Sequence, residues 1–330
     1  MMQLTTPLRW IGVALYRVGL HRAVIRWRKR RVRVLLYHAC EERESDFTAG
    51  LRSNTTPREF AVHLDFYARH YQVIPFARIV ADDIPDCAAV ITFDDGYRSV
   101  FEHAAPLLRA RKMSATVFLV TRVVGNGGLV WVNELNWLLR QHPAAARPVV
   151  ARLAGLPESA APEEMIECVR QRYDAAAIEA ALREIRAAAG VDGARVATSA
   201  SLYMTWDDVR SMQREGFTFG NHTATHPSLS TVAAAVQREE IAEAQRTLKA
   251  EGCNGRWLAY PFGDHNAESR EVAIELGCEA VFAVGVRSGS LDRLDIGRSP
   301  VSASDDANLF AQLEVVEPVK AWLRGVLRIS

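Results

Sequence analysis

Cysteine is scarce in this chain. Its five cysteines, Cys40, Cys87, Cys168, Cys253 and Cys278, are odd in number, widely spaced and free of any Cys-x-x-Cys pair. That pattern excludes a disulfide framework and a cysteine-built zinc site, and it fits a reducing, cytoplasmic compartment. Long apolar runs are missing as well. The best candidate, Leu8 to Leu20, is interrupted by Arg9 and Arg17 and is followed by no small-residue cleavage site. It reads neither as a membrane span nor as a signal peptide. No internal repeat and no Gly-, Pro- or Ser-rich linker divides the sequence. Acidic residues are absent from residues 1–33, which carry nine Lys or Arg; with +1 overall, the rest of the chain is left at −8. An acidic bulk without a recognition motif argues against nucleic acid as a partner. The basic start fits two arrangements: a helix lying on an anionic membrane surface through residues 1–30, or a helix docked on the rest of the protein.

The remaining sequence alternates strands and helices. Arg31 to His38 reads as a first core strand, Val73 to Pro75 as a second, Ala88 to Phe93 as a third and Ala115 to Val120 as a fourth. Between them, Thr56 caps a helix that opens with Pro57 and runs past Tyr67, and Val100 to Arg111 reads as another. Residues 125–205 break the rhythm: the loop Gly125-Asn126-Gly127-Gly128 leads into helical stretches over Trp131–Arg140 and Glu163–Ala189. Trp131 and Trp137 suit either sugar stacking or core anchoring. The alternation resumes with a helix over Trp206–Gly216, the apolar run Gly216–Phe219 and a helix over Val232–Glu251. A strand over Arg256–Tyr260, a helix over Glu268–Leu276, a strand over Ala280–Val284 and a strand-like segment over Asp295–Val301 complete it. Such alternation indicates a parallel sheet or barrel. The expected organisation is a basic segment over 1–33 and one domain over 34–330, with a helical insertion at about 125–205.

Chemistry concentrates at strand ends. Asp94 and Asp95 follow the apolar strand Ala88–Phe93 directly, and Gly96 lets the chain turn. Burying two neighbouring carboxylates is costly, so the pair is expected at an open strand mouth, facing a cation. His222 and His226 follow the run Gly216–Phe219. Imidazoles four residues apart share one face of a helical turn and can hold one metal ion. His38 closes the first strand at the same kind of position.

Three motifs in order, Thr92-Phe93-Asp94-Asp95-Gly96, His222-Thr223-Ala224-Thr225-His226-Pro227 and Tyr260-Pro261-Phe262-Gly263, resemble the polysaccharide deacetylase family (carbohydrate esterase family 4, the NodB homology domain). The likeness extends to Tyr37-His38 and to the Thr56-Pro57-Arg58-Glu59-Phe60 helix start, and so covers most of residues 34–300. The resemblance implies a distorted (β/α) barrel with fewer than eight complete units. It also implies a metal-dependent hydrolase that removes acetyl groups from amino-sugar polymers. Asp95, His222 and His226 would be the metal ligands, Asp94 the catalytic base, and the backbone N–H around Phe262 an oxyanion donor. The ion would be zinc by preference, with cobalt, nickel or iron(II) as substitutes. Tyr260, Pro261, Phe262 and His265 would border the glycan.

The sequence departs from the family pattern twice. The arginine that many members carry before the Pro-aromatic-Gly motif is replaced by Ala259, and the late Leu-x-His motif is missing, since His265 is the last histidine. Arg298, in the late strand-like segment, is the expected substitute for the first, because a guanidinium can hold a carboxylate bidentately. His38, or less favourably His265, is the expected substitute for the general acid supplied by the second; the alternative is that Asp94 returns its own proton. The Tyr-Pro-Phe-Gly form resembles the branch acting on exopolysaccharides such as poly-N-acetylglucosamine. Competing readings are a non-catalytic carbohydrate-binding relative and a non-haem iron oxygenase, which also uses two histidines and a carboxylate. The latter leaves the second aspartate unexplained.

Overall fold

The computed structural model of the chain describes residues 2–287 and 291–327. Eight parallel strands run in chain order: β1 (Arg33–Tyr37), β2 (Gln72–Val73), β3 (Ala88–Phe93), β4 (Thr116–Leu119), β5 (Thr218–Asn221), β6 (Trp257–Ala259), β7 (Ala280–Val284) and β8 (Ile296–Pro300). β1 pairs with both β3 and β8, so β1 and β3 to β8 close a seven-stranded barrel. The short β2 pairs only with the start of β3, at Ala88 and Ala89, while β4 takes Thr92 and Phe93. This is the expected (β/α) barrel with fewer than eight units. The Pro57–His70 helix opens as read, with a capping box between Thr56 and Glu59.

Side-chain alternation decides what the barrel holds. Val34, Val90, Phe118, Ala259, Phe282 and Ile296 form one buried cluster inside it, closed at the base by Phe76 and Ile79. Their neighbours Leu35, Ile91 and Val117 point outward into a second cluster under the helices, and Leu258 and Val281 into a third. Because the strand period is two, inward positions repeat at every second residue. The inward set therefore continues at the C-terminal strand ends with Leu36 on β1 and His38 after it, Asp94 after β3, His222 after β5 and Arg298 on β8. Gly220 makes room for this packing: a Cβ there would lie 2.6 Å from the Phe118 ring.

The insertion is a helical subunit with its own core. Helices Trp131–Gln141, Pro143–Ala154, Pro162–Arg172 and Ala175–Ala189 pack Leu135, Leu138, Val150, Met165, Val169, Leu182 and Ile185 together. It is tied to the barrel by Asn133, which accepts hydrogen bonds from Tyr97 (3.1 Å) and Tyr203 (2.7 Å) and donates to the Phe47 carbonyl (3.0 Å).

Both termini dock together. Helices Met2–Arg17 and His21–Trp27 precede β1, and the Met2–Arg17 helix packs on the segment Asp306–Val316. Arg9 Nε donates to Asn308 (2.7 Å) and Tyr16 to Asp306 (3.1 Å). No helix of the described residues is long and apolar enough to cross a membrane. The C-terminal helices are fixed to the barrel base by buried Glu314, which accepts from Arg33 Nε (2.8 Å) and Nη2 (3.0 Å) and from the Tyr71 hydroxyl (2.8 Å). Removing one partner of a buried pair strands the other charge. Glu314→Ala is expected to lower unfolding free energy by about 3–5 kcal/mol in urea titration. The double change Arg33→Met with Glu314→Leu should recover most of that loss. Equal destabilisation by the single and double variants would show that the pair, and not the stranded charge, carries the effect.

Candidate active site

Asp94 sits at the barrel mouth with its carboxylate turned inward, 3% exposed. Arg298 approaches it from β8 and is fully buried; Nη1 donates to Oδ1 at 2.6 Å and Nη2 to Oδ2 at 2.7 Å. The guanidinium lies over the rings of Phe118 (5.4 Å) and Phe282 (5.8 Å), so the aromatic core of the barrel supports it from below. Burial opposes ionisation of Asp94, but the Arg298 charge, with help from the histidines, overcomes it and holds the carboxyl down at about 2. The place of the arginine absent at Ala259 is thus taken by Arg298.

Asp95 follows in a left-handed conformation (φ 70°), as does Gly96 (φ 77°). This sharp turn swings the second carboxylate across to the histidines. Asp95 Oδ1 lies 3.5 Å from His222 Nε2 and 3.4 Å from His226 Nε2, and the two Nε2 atoms are 3.2 Å apart. Ligand atoms each ~2.1 Å from a tetrahedral ion stand roughly 3.4 Å from one another. Asp95 Oδ1 is buried without a hydrogen-bond partner, and burial, with the Asp94 charge beside it, pushes Asp95 up to about 8. A buried carboxylate oxygen and two imidazole nitrogens at these mutual distances fit a divalent cation. Burial also disfavours the charged forms of His222 and His226, leaving the neutral, ligating form.

The two histidines do not share a helical turn. Residues 222–228 form a loop in which Thr223 (φ 66°) and His226 (φ 67°) are both left-handed. Local hydrogen bonds compensate that strain. Asn221 Oδ1 accepts from the Thr223 N–H (2.7 Å) and Thr223 Oγ1 from the His226 N–H (3.0 Å). Glu240 accepts from the Ala224 and Thr225 N–H groups (3.0 and 2.8 Å). His222 Nδ1 donates to the Ala259 carbonyl at 2.7 Å, which fixes the tautomer and leaves Nε2 for the ion.

These groups open into a cavity of about 1010 Å³. Leu36, His38, Asp94, Asp95, His222 and His226 line it together with Leu51 and Arg52 and with Val132, Ile166 and Arg170 of the insertion; Leu51 packs against the insertion's core. Phe262 lines it too, left-handed (φ 58°), with its ring 4.5 Å from that of His226. Burial lowers His38 to about 4, despite the Asp94 charge.

Two expected glycan-bordering residues lie elsewhere. Tyr260 is buried with Leu229 and Val281 behind the sheet, because Ala259 takes the inward position and the next residue must face out. Exposed His265 stacks on Tyr260 at 4.8 Å and does not line the cavity. Buried Pro261 only carries the turn. Arg170 was not expected: it pairs with Glu167 (2.6 Å) and with Asp264, and lies over the Phe262 ring at 5.2 Å. Its pairing with Asp264 spans 94 residues and leaves no local signal.

Comparison with known proteins agrees with this geometry. A sequence model described as polysaccharide deacetylase matches residues 82–281. Among solved structures, a Streptococcus pyogenes deacetylase, PplD in complex with acetate, is similar at 17% identity and TM-score 0.59, covering 86% of this chain and 98% of its own. IcaB from Ammonifex degensii is similar at 20% identity and TM-score 0.56, covering 86% and 97%. A Bacillus anthracis protein described as a putative polysaccharide deacetylase, BA0330, follows at 16% and 0.57, covering 86% and 69%. No curated protein matches the chain. The family model spans more than half of the sequence and contains both the Asp94-Asp95 turn and the His222–His226 loop: the chain belongs to the polysaccharide deacetylase family.

Proposed function

We propose that this deacetylase is metal-dependent and removes N-acetyl groups from an amino-sugar polymer of the poly-N-acetylglucosamine kind. One observation carries the reading: a buried carboxylate, Asp94, is clamped by Arg298 while its Oδ2 lies 3.7 Å from His222 Nε2 of the ligand set. A structural ion pair has no need of three cation ligands beside it, and a metal store has no need of a clamped base. The cavity of about 1010 Å³ and the Tyr-Pro-Phe-Gly form of the sequence support a polymer of the exopolysaccharide type.

Asp95, His222 and His226 would hold the ion, most suitably zinc. When bound, it supplies Lewis-acid polarisation of the acetyl carbonyl and acidifies water. Asp94 accepts a proton from the attacking water. Arg298 keeps it in the anionic form and fixes the direction of its lone pairs. The Phe262 backbone N–H would face the developing oxyanion, while those of Gly263 and Asp264 donate to the Tyr260 (2.9 Å) and Pro261 (3.0 Å) carbonyls and hold the turn. The amine must then leave protonated. Asp94, protonated by the attacking water, returns that proton to the departing amine.

Acetate release from acetylated glucosamine oligomers is expected to stop on chelation and return with zinc or cobalt. Asp95→Asn should lose metal and turnover together, whereas Asp94→Asn should keep the metal and lose roughly 10²–10⁴-fold in turnover. Equal metal loss in both, measured by elemental analysis, would overturn this division of roles.

Arg298→Lys keeps the charge but breaks the bidentate clamp. Turnover is expected to fall by roughly 10²-fold with metal content unchanged. Weakening the cation that depresses Asp94 raises its pKa, so the acid limb of the rate–pH profile should move to higher pH. An unchanged limb would remove Arg298 from control of the base. In the same assay His38→Ala should lose less than ~10-fold and keep the wild-type basic limb; loss of that limb would restore His38 as the acid.

A further inference from the structure

The terminal helices carry an apolar face that the fold leaves uncovered. On the Met2–Arg17 helix, Gly12 and Val13 are buried against the body of the protein. Pro7, Trp10, Ile11 and Ala14 are exposed at helical spacing, and the stripe runs on to Val18 in the following turn. Trp10 and Val18 are each 68% exposed, Trp27 is 84% exposed and Trp322 60%. Among the described residues, every large apolar side chain more than half exposed belongs to these helices and their turn, Ile274 excepted. Trp27 and Trp322 border one groove with Arg28, Lys29, Arg30 and Arg31. Lys29 also lines a cleft of about 590 Å³ with Arg22, Arg26 and Arg69, where Asp86 is the lone acid. No carboxylate among the described residues pairs with Arg17, Arg22, Arg26 or Arg30.

Exposed tryptophans interleaved with unpaired arginines match the chemistry of a lipid headgroup layer. We propose that this face is a docking surface for an anionic phospholipid bilayer. The helices lie on the bilayer and do not cross it. Trp10, Ile11, Val18, Trp27 and Trp322 enter the headgroup boundary, and Arg22, Arg26 and Arg30 hold lipid phosphates, while Lys29 is paired with Asp86 at 2.7 Å. Charge selects this occupant over a second copy of the chain. A two-fold dimer through the same face would set each arginine cluster against itself, whereas an anionic leaflet attracts every one of them. The inference goes beyond the proposed chemistry and does not depend on it.

Full-length protein sedimented with vesicles tests this. Binding is expected to mixed phosphatidylglycerol–phosphatidylcholine vesicles, not to pure phosphatidylcholine, and should weaken by roughly 10-fold or more between about 0.1 and 0.5 M salt. The triple variant Arg22→Gln, Arg26→Gln, Arg30→Gln should lose roughly 100-fold in partitioning. Trp27→Ala with Trp322→Ala should weaken binding while keeping its salt dependence. Thermal melting shows whether each variant is folded; if one is not, the lipid and salt comparisons on the unaltered chain decide. Equal binding to both vesicle types, no binding at all, or a folded triple variant that binds like the parent would overturn the proposal. So would a dimer, seen by light scattering, that Trp27→Ala dissociates.

Discussion

A fully buried carboxylate–guanidinium pair sits at the centre of this molecule. Asp94 and Arg298 meet inside the barrel mouth at 2.6 and 2.7 Å, and each would be prohibitively costly to bury alone. The pair therefore constrains both strands that carry it. β3 and β8 are not neighbours; each pairs with β1. With β1 between them, their inward positions lie two strands apart on the inner face of the barrel. The aromatic floor of Phe118 and Phe282 beneath the guanidinium then becomes part of the site, and Gly220 is required so that Phe118 can lie there.

The same strand period explains which readings from sequence succeeded. Asp94 and Arg298 each stand an even number of residues from an inward apolar side chain of the same strand, and Ile296-Gly297-Arg298 shows this as plainly as Val90-Ile91-Thr92-Phe93-Asp94; His222 follows the outward Phe219 by three. Tyr260 was legible by the same rule and was misplaced by trusting its motif: Trp257 and Ala259 point inward, so Tyr260 cannot. The helical turn expected between His222 and His226 failed for a different reason. Spacing of four is compatible with a helix, but Asn221, Thr223 and Glu240 supply side-chain acceptors that hold the loop N–H groups instead. Glu240 is distant enough in sequence that its part has no local mark. The helices over 306–327 were also unread, because the residue that anchors them is a buried glutamate, which breaks the apolar periodicity that announces a helix.

Part of the chain's left-handed backbone lies where the chemistry is. Asp95, Thr223, His226 and Phe262 are all left-handed non-glycine residues, and each carries or borders a cavity group. Such conformations cost of order 1–3 kcal/mol each and persist only where surrounding contacts over-determine them. Here the contacts come from the insertion and from the helix that carries Glu240. Trp131 of the insertion donates to the His226 carbonyl (3.2 Å), and Glu240 grips the loop between the histidines. Arg170, also of the insertion, spans Phe262 and Asp264.

The insertion is therefore more than a wall of the cavity. Asp264, held by Arg170, also accepts from Ser228 Oγ at 3.0 Å. Ser228 follows His226 by two residues, and Asp264 follows Phe262 by two. One guanidinium thus links the turn proposed to face the oxyanion with the loop proposed to hold the ion, through partners on both sides. The barrel alone supplies Asp94 and Arg298 with great rigidity, since both lie on or directly beside strands. It supplies the ligand loop and the Phe262 turn with much less, since both extend beyond the strand ends. A helical subunit with its own packed core is a stiff body from which to hold such loops. The division of labour follows from that difference: strands fix the base, and the insertion fixes what must face it.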